Sequence, residues 1–163
     1  MLLDFILLIA SFRYLGDQDT GLLLAEASDG NLQEYIDEHS GCIALSLCKK
    51  WFRQAAEAVA FLHSKGVIHS DLCPENFLVN ASSDPAASPD ILLCDFGGSM
   101  CKDLNRWGHL PDPGFFDPTQ KDLSTPATDI FSLGSIFYAV LTGHWPYRLP
   151  DPFMTLEERD ENG

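Results

Sequence analysis

The stretch that leaves this chain least freedom is Val67–Asn76, read Val-Ile-His-Ser-Asp-Leu-Cys-Pro-Glu-Asn. It follows a run with helical period and precedes a short apolar segment, Phe77-Leu78-Val79. A second apolar run, Ile91-Leu92-Leu93-Cys94, leads into Asp95-Phe96-Gly97. An Asp on a loop, an Asn five residues on and a further Asp after a hairpin suit one particular arrangement. Two oxygen ligands can hold magnesium on a polyphosphate while the first Asp orients a hydroxyl nucleophile.

The segments around that stretch support a framed loop. From Leu45 to Lys65, Leu47, Trp51, Ala55, Val59 and Leu62 fall on one helical stripe, widened by Phe52 and Ala58. Lys65 stands in the last turn and Gly66 just past the cap, so the helix is expected to stop where the loop begins. Asn80–Asp90 is polar and contains two prolines, and reads as a solvated hairpin loop. Upstream, Phe12–Gly16 and Gly21–Glu26 read as two strands joined by the polar turn Asp17–Thr20. Asn31, with Glu34 three residues later, predicts a capped short helix ending near His39. Residues 98–128 lack periodicity and are rich in Gly, Pro and Asp. An apolar helix is then expected from Asp129 to about Leu141, ending at Thr142-Gly143.

Composition removes several classes of partner. Twenty-four acidic residues against ten basic give a net charge of −14, which argues against nucleic acid or an anionic membrane as partner. Five cysteines without Cys-x-x-Cys spacing suggest neither a disulfide framework nor a zinc site. They read as reduced thiols of a cytoplasmic or nuclear protein. Met1–Phe12 is apolar, but its run is shorter than the ~20 residues of a membrane span. Asp4 interrupts it and no basic residue precedes it, so it reads as a buried helix end or strand. A hydrophobic fraction of 45% over 163 residues is enough for one domain with a core.

His69-Ser70-Asp71-Leu72-Cys73-Pro74-Glu75-Asn76 and Asp95-Phe96-Gly97 resemble the catalytic loop and the following turn of eukaryotic protein kinases. The resemblance extends over roughly residues 9 to 147. It implies an α+β, protein-kinase-like fold, mostly the α-helical large lobe with a remnant of small-lobe strands. Residues 1–26 would form the strand remnant and the approach to the hinge. Residues 27–163 would form a large-lobe fragment with catalytic loop, Asp-Phe-Gly segment and central helix. The implied activity is ATP- and Mg²⁺-dependent phosphoryl transfer to Ser or Thr of protein substrates. By the same resemblance Asp71 is the catalytic base, and Asn76 and Asp95 hold Mg²⁺. Leu78 floors the adenine pocket, with Phe77 and Val79 behind it, while Glu26 and Ser28 border that pocket and offer backbone hydrogen bonds. His69 and Phe96 would stack, and Asp129 would brace the loop backbone.

The chain also departs from the family's pattern. Ser70 replaces the arginine before the catalytic Asp, and Cys73 replaces a lysine placed near the γ-phosphate. Where the family carries Ala-Pro-Glu, Phe116-Asp117-Pro118-Thr119 keeps only the proline. No glycine-rich loop and no Val-Ala-Ile-Lys strand occur within the 163 residues. The isolated chain is therefore expected to lack activity and to bind ATP weakly. The alternatives are a pseudokinase or truncated scaffold that binds protein partners, or a piece of a larger kinase. Pro74-Glu75-Asn76 resembles the serine/threonine class. Phosphorylation of the segment after Asp-Phe-Gly is not expected to act as a switch, because Ser70 removes the clamping cation. Residues 98–117 also contain a single hydroxyl, that of Ser99.

Overall fold

The computed structural model of the chain describes residues 14–18, 21–24, 27–39, 41–82, 87–101, 111, 114–120 and 123–146, the first two ranges as backbone only. Met1–Phe12, Glu26 and residues 83–86, 102–110 and 147–163 lie outside the described residues. β1 (Tyr14–Gln18) and β2 (Gly21–Leu24) pair antiparallel, with Gln18 opposite Gly21 and a register shift between Tyr14 and Gly16. The expected turn is therefore too long at its start. Asp17 and Gln18 belong to the strand, leaving two residues between the strands, the commonest hairpin connection.

α1 (Leu32–Glu38) begins as its capping box requires: the Asn31 side chain accepts the Glu34 N–H, and the Glu34 carboxylate accepts the Asn31 N–H. It buries Leu32, Gln33 and Ile36. Gln33 is satisfied there, its Oε1 accepting from Trp145 Nε1 at 2.8 Å and its Nε2 donating to Asp37 Oδ1 at 2.8 Å.

α2 (Leu45–Ser64) buries Cys48, Trp51, Ala55, Val59 and Leu62, and Leu47, half-buried, packs against the same core. Lys65 caps its C-terminus, and Gly66 follows at φ 73°, a left-handed turn that glycine makes without strain. That stripe packs against β5 (Asp90–Leu93), β3 (Val67–Ile68) and α3 (Pro126–Thr142). β4 (Phe77–Asn80) pairs with β5 from Phe77 opposite Leu93 to Asn80 opposite Asp90. Alternation puts Phe77, Val79, Ile91 and Leu93 inside, against Trp51, Leu62 and Leu72. Leu62 is fully buried in that core, and its truncation to Ala would cost about 2–5 kcal/mol.

Two elements differ from expectation. Val67-Ile68, at the start of the stretch Val67–Asn76, is a strand that pairs with β6 (Met100–Cys101), inside the segment expected to be irregular. Both strands are two residues long, too short to carry a period. α3 starts three residues before Asp129. Thr125 Oγ1 accepts the Thr128 N–H, the Thr125 N–H donates to Thr128 Oγ1, and Pro126 at the first helical position has no N–H to lose. Asp129 thus lies within the first turn, 1% exposed.

Candidate active site

Ser70 at φ 70° and Asp95 at φ 51° are the non-glycine residues with left-handed backbone among the described residues. Such a conformation costs about 1–3 kcal/mol and persists only where neighbours enforce it. At Ser70 the enforcing group is the Asp129 carboxylate. Its Oδ2 accepts the His69 N–H at 2.9 Å and its Oδ1 the Ser70 N–H at 2.9 Å. His63 Nε2, in the last turn of α2, completes the set at 2.8 Å from Oδ2. The bracing role expected of Asp129 is what the geometry provides. His63 was missed, because a lone histidine on a helix carries no pattern. Its only signal is its place one turn before Gly66, where the loop begins.

The loop then runs through buried Leu72, Cys73 and Pro74 into a 3₁₀ turn, Pro74–Asn76. Asn76 is the knot of the site. Its Nδ2 donates to the Asp71 carbonyl at 2.7 Å, and its own carbonyl accepts the Cys94 N–H at 2.8 Å. Asn76 is thereby tied to the backbone of Asp71 and to that of Cys94, the residue before Asp95. The Asp95 carboxylate accepts the Gly97 N–H at 3.0 Å, which starts the short turn Phe96–Gly98.

His69 is buried and bonds through Nε2 to the Cys94 carbonyl at 2.9 Å, a second tie between loop and turn. That bond fixes the tautomer with the proton on Nε2, and burial lowers the His69 pKa, keeping the ring neutral. Its ring meets Phe96 edge-on, centroids 5.2 Å apart at 63°, rather than stacked as expected. Burial, then the Glu75 and Asp71 carboxylates, push the Cys73 thiol well above its ordinary pKa. Burial and then Asp95 push Cys94 up to about 11. Neither is a thiolate at neutral pH.

On the other side of β4, the Asp29 N–H donates to the Val79 carbonyl and the Val79 N–H to the Gly30 carbonyl, and Asn31 bridges to Leu78. Leu78 and Ser28 therefore lie on adjoining backbone. The Ser28 hydroxyl is already engaged, accepting the Ala81 N–H at 2.7 Å and donating to Asp29. A cavity of about 740 Å³ opens between α1 and the 80–90 loop, lined by Asp29, Glu34, Tyr35, Glu38 and Pro89 among others. None of Asp71, Asn76, Leu78 or Asp95 lines it. Farther on, the Asp117 carboxylate accepts both the N–H and the hydroxyl of Thr119, closing a local turn. Ser99 is buried, and its hydroxyl has no hydrogen-bond partner among the described residues.

The family model described as protein kinase domain matches residues 4–160. A Drosophila melanogaster protein described as "Death-associated protein kinase related" is 32% identical over 79% of this chain and 19% of its own length. Serine/threonine-protein kinase kin-29 of Caenorhabditis elegans is 33% identical over 74% of this chain and 14% of its own. Calcium/calmodulin-dependent protein kinase type II of Caenorhabditis briggsae is 36% identical over 58% and 18% respectively. The chain thus spans less than a fifth of the length of these relatives.

Proposed function

The chain belongs to the protein kinase family, and from that premise we propose that it serves ATP- and Mg²⁺-dependent phosphoryl transfer to Ser or Thr of protein substrates in the intact protein. The observation that carries this reading is the linkage of Asp71 to Asn76 and of Asn76 to the residue before Asp95. With Asn76 Nδ2 committed to the Asp71 carbonyl, its Oδ1 is the ligand atom Asn76 has to offer, as the carboxylate is for Asp95. Among the described residues no cluster of three or more His, Cys, Asp and Glu forms a metal cage. One carboxylate and one amide oxygen suit Mg²⁺, which takes its other ligands from water and phosphate. Bound there, Mg²⁺-ATP supplies the phosphoryl group and the counter-charge for its oxygens.

In this reading the Asp71 carboxylate orients the substrate hydroxyl and accepts its proton, a role worth about 10²–10⁴-fold. Leu78 floors the adenine, and Glu26 and Ser28 offer backbone groups at its edge. Ser28 has only its backbone to give, because its hydroxyl is held by Ala81. Residues 1–26 serve as strand remnant and approach to the hinge, and 27–163 as large-lobe fragment. Two losses argue against a phosphorylation switch after Asp-Phe-Gly: Ser70 gives no cation, and Ser99 is buried. No helix among the described residues is long and apolar enough to cross a membrane. With a net charge of −14, the partners are ATP and protein, not nucleic acid or membrane, and the setting is cytoplasmic or nuclear.

One observation favours the pseudokinase reading, a partner-binding scaffold. Cys73 is a neutral, buried thiol where a lysine would face the phosphates. Thermal shift with ATP, with and without Mg²⁺, on wild type and Asp95→Asn tests the site. The expected result is a small Mg²⁺-dependent shift lost in the variant, and an equal shift in all four samples overturns the assignment. Transfer to a protein substrate by the intact protein, abolished by Asp71→Asn, decides between enzyme and scaffold. The 163-residue chain alone is expected to show none.

A further inference from the structure

The 80–90 loop is the part of the sequence that the catalytic reading leaves unused, and its return leg is fastened to α2. Lys50 Nζ donates to the Ser88 carbonyl at 2.6 Å and lies 3.2 Å from the Ser88 hydroxyl. Trp51 Nε1 donates to the Pro89 carbonyl at 3.0 Å. Lys50 also pairs with Asp90 Oδ1 at 2.8 Å, and Gln54 Nε2 donates to the same oxygen at 2.6 Å. Ser88 itself is exposed, as is Ala87 before it.

From this arrangement we propose that Ser88 is a phosphorylation site for a proline-directed protein kinase, with Lys50 as the cation that receives the phosphate. An active site that offers no partner to the N–H after the acceptor residue favours proline there, which has no N–H to strand. Ser88-Pro89 and Thr125-Pro126 are the two dipeptides of this kind in the sequence. The fold separates them. Thr125 is the N-cap of α3, its hydroxyl holding the Thr128 N–H and Pro126 already helical, so its modification requires unwinding the helix. Among the described residues the Ser88 hydroxyl meets Lys50, an interaction that a phosphate strengthens rather than breaks.

In the reaction the Ser88 hydroxyl oxygen bonds to the γ-phosphorus of the modifying kinase's Mg²⁺-ATP. The bridging β–γ P–O bond breaks, ADP leaves, and the hydroxyl proton passes to that kinase's base. The product carries about −1.5 to −2 charge at neutral pH. It competes with Asp90 for Lys50, but Asp90 keeps its bond from Gln54. Asp29, Glu34 and Glu38 line the nearby cavity with Ala87 and Pro89, whereas Ser88 does not line it. The new phosphate therefore tightens the loop's return leg on α2.

The test treats the folded 163-residue chain with a proline-directed kinase and Mg²⁺-ATP, maps the phosphate by mass spectrometry, and repeats the treatment in urea. The expected result is native labelling at Ser88, absent in Ser88→Ala and lost in Pro89→Ala, with Thr125 labelled only when unfolded. Amide exchange at Ser88, Asp90 and Ile91 should slow by about tenfold on phosphorylation, and this slowing should vanish in Lys50→Gln. Native labelling of Thr125 as fast as Ser88, or Ser88 labelled only in urea, overturns the site. Equal slowing in Lys50→Gln overturns the role of Lys50.

Discussion

Asp129→Asn is the substitution that tests most of the site at once. The carboxylate accepts three hydrogen bonds while buried: two from consecutive backbone N–H groups, those of His69 and Ser70, and one from the His63 ring. The amide has nearly the same shape but one acceptor. Its best orientation puts Oδ1 where the carboxylate's Oδ2 stood, keeping His69 and His63, and turns its NH₂ toward the Ser70 N–H. A hydrogen bond to a charged acceptor is worth about 1.5–3 kcal/mol, and the stranded buried donor adds to the loss. The expected destabilisation is about 2–4 kcal/mol. Ser70 then has nothing to hold it at φ 70°. Ser70→Gly, which accepts that backbone without strain, should recover about 1 kcal/mol in the variant. Urea denaturation of wild type, Asp129→Asn, Ser70→Gly and the double variant reads both effects. A loss below about 0.5 kcal/mol in Asp129→Asn would refute the bracing argument, since the amide would then serve as well as the carboxylate.

Two further outcomes follow from the titrating groups. Burial depresses the His69 pKa, so below the ordinary value near 6.5 the unfolded chain takes up a proton that the folded chain refuses. Stability is therefore fully present above that value and falls as pH drops through it, and His69→Gln should flatten this slope in urea melts at pH 7.5, 6.5 and 5.5 (about a unit apart); an unchanged slope would place the proton uptake elsewhere. Cys73, buried and raised in pKa, should be the last thiol alkylated by iodoacetamide in the folded chain, and exposed Cys42 the first, by peptide mass mapping; early labelling of Cys73 would show that the loop opens.

What the sequence disclosed and what it withheld divide along a physical line. Local rules placed α1 through the Asn31–Glu34 box, ended α2 at Gly66 and paired Phe77–Asn80 with the run before Asp95, because each signal lies within a few residues of its effect. The order of Asp71, Asn76 and Asp95 was legible by resemblance; the bonds from Asn76 to the Asp71 carbonyl and to the N–H of Cys94, before Asp95, were not. The β3–β6 pair was not legible, since two residues on each side leave no pattern and the partners are distant in sequence. His63 was hidden because its partner Asp129 is 66 positions away, and helical period places each residue on its helix without pairing the two.

The hidden contacts explain how the loop keeps its form despite the substitution at position 70. A residue with left-handed backbone is held by what its N–H reaches, and at Ser70 that is Asp129 rather than anything its side chain does. The Ser70 hydroxyl contributes only a long contact to the Ile68 carbonyl at 3.4 Å. Bracing thus comes from α3 and from the end of α2, both anchored in the core through Leu62, Leu133 and Ile136. An arginine at this position would add a cation to read a phosphate, but would not be needed to set the backbone. Removing it therefore separates two properties that a phosphorylation clamp normally joins, the shape of the loop and its response to modification. The shape survives here because it rests on main-chain donors and one buried carboxylate. By the same argument, restoring the cation with Ser70→Arg should leave the loop backbone where it is and supply a binding point for added phosphate.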